Sequence, residues 1–261
     1  MSLTAPRAPR AARFPLRLNQ VSRPHGAGNE QAGLPALPTG LGLDSDSIRL
    51  RMVQRLQDGG VRHRSVLEAM AGIRRHDFLD PALVAQAYED TSLPIGHGQT
   101  ISKPSVVARM LELLFAGAGA GPSHSLGRVL EIGTGCGYQA ALLSVLATSV
   151  VSVERIKALH DRAGQLLARI RRANVRLVFG DGMLGHPPNA PYDSIIAAAG
   201  GEHVPQAWLD QLAPNGRLVF PSRQQDSDSQ VLVVIDRHAH GTVKALHEAV
   251  NFVPLKSGVI G

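Results

Sequence analysis

Residues 129–139 read Val-Leu-Glu-Ile-Gly-Thr-Gly-Cys-Gly-Tyr-Gln, and the fold follows from how they are read. An apolar run carrying one acid, Glu131, passes through glycines at 133, 135 and 137 and opens onto a helical pattern. Alternating glycines let the backbone turn sharply and lie flat against a ligand where a Cβ would collide. Such loops stand at the carboxyl end of the first strand of a doubly wound sheet, at the crevice that takes a nucleotide-like molecule. The dinucleotide fingerprint has its third glycine one position later, where this chain has Tyr138.

Downstream of this loop, strand and helix patterns alternate. Strands are expected over 128–132, 149–154, 175–179, 192–198, 216–221, 230–236 and 242–252, and helices over 138–147, 156–172 and 205–212. The first four strands are near-continuous apolar runs, as in a parallel sheet covered on both faces. No helical pattern separates the last strands, so the sheet is expected to finish with an antiparallel pair. The fold class is α/β: a doubly wound, mostly parallel seven-stranded sheet.

Upstream, order begins near Asp44-Ser-Asp-Ser47. Ile48, Met52, Val53 and Leu56 recur at helical spacing before Gly59-Gly60. Ser65-Val-Leu-Glu68 has the form of a capping box for a second helix, and Asp80-Pro81 starts a third. Residues 1–43 are rich in Pro, Ala, Gly and Arg with no sustained period, which predicts a disordered tail. The expected division is a tail over 1–43 and a domain over 44–261. Within the domain, helices and a loop over 44–127 precede a ligand-binding sheet over 128–261. Gln224–Ser229 reads as a surface loop.

The charge is unevenly placed. Of the formal +6, residues 1–40 contribute +4 through Arg7, Arg10, Arg13, Arg17 and Arg23 against Glu30, leaving +2 for the other 221 residues. A basic groove for nucleic acid is not implied for the folded part. No apolar run reaches the roughly 18–20 residues of a membrane span. The lone cysteine, Cys136, rules out an intrachain disulfide and gives no reason to invoke secretion, so a cytoplasmic location is expected. The eleven histidines are scattered, and His238-Ala-His240 lacks acidic or cysteine partners at ligand spacing, so no metal is expected.

Acids recur at successive strand ends. Glu154 closes the second strand, 17 residues beyond Gly137, where a carboxylate can accept from both hydroxyls of a ribose. Asp181, in Gly180-Asp181-Gly182, is placed to accept from the exocyclic amine of an adenine, with Gly182 as a flat neighbour. An ordinary strand-exit turn would also use Asp-Gly. Ahead of the sheet, Leu93-Pro-Ile-Gly-His-Gly-Gln-Thr-Ile-Ser-Lys-Pro104 reads as a loop. Ser102 stands there as a candidate cap for a helix through Val106, Val107, Met110, Leu111 and Leu114. A helix N-terminus is also a natural receiver of a carboxylate.

Gly-x-Gly-x-Gly after an acid-bearing strand resembles the S-adenosylmethionine-dependent methyltransferases. More narrowly, the chain resembles the protein-L-isoaspartate O-methyltransferase family. The resemblance rests on Leu93–Pro104, Val129–Gln139, Ser152-Val-Glu-Arg-Ile-Lys157, Gly180–Gly182, Gly216–Pro221 and Phe252-Val-Pro-Leu255, and spans roughly residues 46–261. It implies methyl transfer from S-adenosyl-L-methionine to the free carboxylate of L-isoaspartyl residues, and less readily D-aspartyl ones, in damaged proteins and peptides. It further implies a Rossmann-like sheet, Ser102 as the active-site serine, and a cofactor site with Thr100 and Ile101 in its lining. The ligands it implies there are Glu131, Gly133, Thr134, Gly135, Gly137, Gln139, Glu154, Arg155, Asp181 and Gly182. A monomer is expected.

Departures from the family pattern are local. Ala198 stands where the family usually has threonine, Gly201-Glu202 replaces a proline pair, and Lys103 puts a charge after the serine. They leave open a different acceptor with the same cofactor. A silent cofactor-binding protein acting through its basic tail is the further alternative.

Overall fold

The computed structural model describes residues 46–117, 125–224 and 229–261. The expected tail over 1–43 and most of the loop at 224–229 lie outside the described residues. Two helices come first, α1 (Asp46–Asp58) and α2 (Arg64–Gly72), followed by 3-10 turns at Arg75–Phe78 and Pro81–Gln86. α1 buries Met52 and Leu56 from the expected stripe and stops at Gly59-Gly60, where Gly60 takes φ +107°. The capping box at Ser65–Glu68 does not form. α2 starts two residues earlier, its N-cap His63 provides no side-chain cap, and Glu68 pairs instead with exposed Arg64. Asp80 does cap, accepting from Ala82 N at 2.9 Å, but the six residues that follow wind as a 3-10 turn rather than an α-helix.

Leu93–Pro104, expected as a loop, contains a hairpin of β1 (Leu93–Gly96) and β2 (Gln99–Ile101). His97 and Gly98 at its tip both have positive φ, 53° and 67°, as a tight hairpin turn demands. α3 (Pro104–Phe115) follows at once. Pro104 is its first residue, so Lys103 before it is held extended (φ −52°, ψ 141°) and becomes the N-cap. Ser102 thus lies outside the helix and does not cap it. Asp90 supplies the cap from a distant connection, accepting from Ser105 N at 2.8 Å and Ser105 Oγ at 2.7 Å. Fully buried Arg75 donates to the carbonyls of Ala87 (2.8 Å) and Thr91 (3.3 Å), fixing the connection that carries Asp90.

The remaining strands are β3 (Arg128–Ile132), β4 (Ser149–Glu154), β5 (Val175–Phe179), β6 (Tyr192–Ala197), β7 (Leu212–Arg223), β8 (Gln230–His238) and β9 (Gly241–Val250). They form one seven-stranded sheet in the order β5-β4-β3-β6-β7-β8-β9. Pairing is parallel from β5 to β7, then antiparallel for both β7–β8 and β8–β9. Two antiparallel pairings close the sheet, one more than expected, because the short connections after β7 leave no room for a crossover. Helices cover both faces. α1 to α3, with α4 (Tyr138–Leu146) and α5 (Lys157–Arg169), share a core with Val129, Val150 and Val219; on the other face Trp208 of α6 (Gln206–Gln211) packs with Tyr192, Phe220, Leu130 and Ile132. β5 departs from the expected burial: as an edge strand it is only half covered.

From β3 the chain moves to β4 and β5 on one side, then returns to β6 on the other. The reversal falls at the carboxyl ends of β3 and β6, the switch point where such sheets hold ligands. Ala198 N reaches back to Ile132 O at 2.8 Å and keeps the two strand ends in step.

Candidate active site

The three loop glycines all have left-handed backbone, with φ of 87° at Gly133, 56° at Gly135 and 90° at Gly137. A side chain at any of them would be strained. Gly137 is also the N-cap of α4.

Two acids hold this loop. Glu154, at the end of β4 and buried, accepts from Gly135 N at 2.8 Å and Ile156 N at 2.9 Å. Each of its oxygens keeps a further lone pair, so the carboxylate can still accept from hydroxyls. Glu131, wholly buried, accepts from Ser152 Oγ, which in turn lies 2.5 Å from Thr134 Oγ1. The Ser152 proton goes to Glu131, so Thr134 is the donor in that second bond. Burial pushes Glu131 up to about 8; Ser152 and Gln139 pull against it, and the charge of Glu154 adds to the rise. Gln139 lies near enough to pull on the carboxyl, yet among the described residues Glu131 Oε1 and Gln139 Nε2 are buried with no hydrogen bond of full geometry. Such atoms cost about 1–3 kcal/mol each when left unpaired, so this pair suits the charged, polar end of a bound molecule.

A crevice of about 510 Å³, open mouth included, lies above the loop. The hairpin side contributes Thr100, Ile101 and Ser102; the loop contributes Gly133, Thr134 and Gly135; Gln139 and Glu154 add polar groups. Ser102 is half-buried, and its hydroxyl makes no hydrogen bond among the described residues.

Five expected cofactor residues lie outside that lining: Glu131 and Gly137, whose places are given above, and Arg155, Asp181 and Gly182. Arg155 donates to Gly258 O (3.0 Å) and Ser257 O (3.2 Å), so its side chain holds the C-terminal segment rather than facing the crevice. Asp181 accepts from Met183 N at 2.8 Å and from Gly258 N at 2.6 Å, and so caps its own turn while anchoring the same segment. Gly182 is required by packing, since a Cβ there would sit 2.6 Å from Ile132 Cγ2. Its carbonyl accepts from Trp208 Nε1 at 2.8 Å.

The crevice also includes Ile95, Gln99, Cys136, Tyr138, Ala198 and Val253. Tyr138 and Cys136 stood inside the decisive run, and Ala198 was already marked as a departure. Ile95 and Val253 are apolar residues with no chemical signature, brought in only by the hairpin and the C-terminal segment. Burial raises the Cys136 thiol, which makes it a poor nucleophile.

The model of the protein-L-isoaspartate(D-aspartate) O-methyltransferase family matches residues 48–259. A protein-L-isoaspartate O-methyltransferase of Methylibium petroleiphilum is 59% identical over 266 aligned residues, covering 95% of this chain and 97% of that protein. A solved protein-L-isoaspartate O-methyltransferase superposes with a TM-score of 0.72 at 29% identity, over 81% of this chain and 67% of the other. A candidate enzyme of the same kind from Plasmodium falciparum, solved with S-adenosyl-L-homocysteine, shares the fold at a TM-score of 0.68 and 23% identity, over 80% of this chain and 98% of its own. With a glycine-loop crevice at the switch point and a relative matched over nearly its whole length, the chain belongs to the protein-L-isoaspartate(D-aspartate) O-methyltransferase family.

Proposed function

We propose that the crevice binds the methyl donor through the glycine loop, Glu131, Gln139 and Glu154, and that Ser102 receives the acceptor carboxylate at its wall. The activity of the family is transfer of a methyl group to the free carboxylate of isoaspartyl residues in proteins, and the cofactor is S-adenosyl-L-methionine. When bound, that cofactor supplies an electrophilic methyl on a sulfonium sulfur. The rest is the work of the chain. Glu154 keeps lone pairs for ribose hydroxyls while it pins Gly135, so donor binding and loop shape are coupled. Glu131 and Gln139 offer an acceptor and a donor to the amino-acid end.

Asp181 retains lone pairs for an adenine amine, and Gly182 and Arg155 support that side by packing and by tethering the C-terminal segment. A carboxylate with a pKa of about 4 is already ionised at neutral pH, so no general base is needed. Ser102 donates a hydrogen bond that orients one acceptor oxygen, and alignment of this kind contributes several kcal/mol to rate, on the order of what near-attack geometry supplies.

The observation that carries this reading is the uncommitted hydroxyl of Ser102 in the same wall as the glycine loop. Isoaspartyl-containing proteins and peptides, D-aspartyl ones less readily, are the acceptors. We place the enzyme in the cytoplasm as a monomer without nucleic-acid or membrane partners; the low charge outside residues 1–40 and the single cysteine support this. Residues 1–43 act as a tail and 44–261 as the methyltransferase domain.

Calorimetry with S-adenosyl-L-homocysteine tests the assignment. Glu154→Ala should weaken binding at least tenfold, while Ser102→Ala should bind as the parent does. Equal binding by parent and Glu154→Ala would remove Glu154 from the donor site.

A further inference from the structure

Ser102 borders two hollows. One is the glycine-loop crevice; the other is a trough of about 910 Å³, open mouth included, between the start of α3 and the end of β9. Its polar walls are Thr91, Ser92, Ser102 and Asn251, and Lys103 is its one charged residue among those described. Through Lys103, Val106, Ala249 and Val250 the trough runs on into a wider hollow of about 1,640 Å³ by the same measure. A chain entering with its carboxylate at Ser102 therefore has a continuous channel for the residues next to it.

The charges along this path are not equivalent. Arg109 lies between Glu112 (3.0 Å) and Glu248 (2.7 Å) and is neutralised. Asp90 is spent on Ser105. Arg55 donates to Tyr88 O at 2.7 Å. Lys103 is exposed, and among the described residues no carboxylate pairs with it. Its backbone cannot drift, because it is the extended N-cap locked against Pro104. The ammonium is thus a fixed-base, unpaired cation one residue from the acceptor serine.

We infer that the trough holds the peptide flanking the isoaspartyl residue, and that Lys103 is a specificity-determining residue favouring an acidic side chain within two positions of it. The inference rests on the acceptor role proposed for Ser102. The contact is made equally before and during transfer, so it acts on KM rather than kcat. Its size is that of one exposed charge pair, about two- to fivefold, and it shrinks as salt screens it.

The test is steady-state methylation of isoaspartyl peptides that carry Glu, Gln or Lys at each of the two positions on either side. The parent should prefer Glu over Lys by about two- to fivefold in kcat/KM at low salt, for at least one position, and mostly through KM. Lys103→Gln should flatten that order and Lys103→Glu should invert it, so that Lys-flanked peptides become the better substrates. An unchanged order in Lys103→Glu, or a preference resistant to 0.5 M salt, overturns the inference while leaving the isoaspartyl reading intact. Failure of the parent to methylate any isoaspartyl peptide removes both together.

Discussion

Glu131 keeps its proton in the free protein up to about pH 8, because burial disfavours the carboxylate more than Ser152 and Gln139 favour it. Between its ordinary 4.5 and about 8, the folded state holds a proton that the unfolded chain has released. Stability therefore falls as pH rises across that window. Glu131→Gln removes this contribution, so its melting temperature should gain on the parent's between pH 5 and pH 9; a gap that stays constant contradicts the protonated assignment. The same substitution should weaken donor binding if Oε1 serves the amino-acid end. Ser102 has the opposite character, since its hydroxyl makes no hydrogen bond among the described residues. Ser102→Ala should lower kcat/KM by about 10–100-fold, the scale of a lost alignment, with an unshifted melting temperature. Unchanged turnover removes the serine from the mechanism.

Elements announced by period were readable from sequence, and those built by distant partners were not. β3, β4 and β5 begin and end where apolar runs and Gly punctuation place them. The glycine loop was legible because three positive φ angles demand three glycines. Caps were misread for a physical reason. Ser65 and Ser102 have the right side chain, but Pro104 sets where α3 starts, and its cap, Asp90, is 15 residues away from Ser105. Asp90→Ala should cost about 1 kcal/mol of stability, a typical cap value. It should also lower turnover, because the start of α3 sets the backbone beside Ser102; lost stability with full turnover would separate the two. At Gly182 the packing constraint comes from Ile132, whose Cγ2 would lie 2.6 Å from an added Cβ. Gly182→Ala should destabilise by roughly 1–3 kcal/mol through overpacking, measured by urea unfolding. A neutral result contradicts that packing.

Across the whole molecule, the switch point agreed in sequence and in structure, whereas the C-terminal covering did not declare itself. Residues 253–260 cross from Gly200, which bonds to Val253 O (2.9 Å), to Arg155, whose carbonyl accepts from Ile260 N (2.7 Å). Nothing in the local pattern of Phe252–Gly261 predicts such a path, since its partners are backbone groups at other strand ends. It explains why Arg155 and Asp181 turn towards the segment. Deleting residues 1–43 should leave kcat/KM and melting temperature unchanged, and a large loss in either would give the tail a structural part. The whole molecule serves one chemistry, directed methylation of a misplaced carboxylate. The most direct measurement is incubation of the purified chain with methyl-labelled S-adenosyl-L-methionine and a pair of peptides identical except for isoaspartyl or aspartyl at one position. Label should enter the isoaspartyl peptide alone, as a base-labile ester. Equal labelling of both peptides, or of neither, would contradict it.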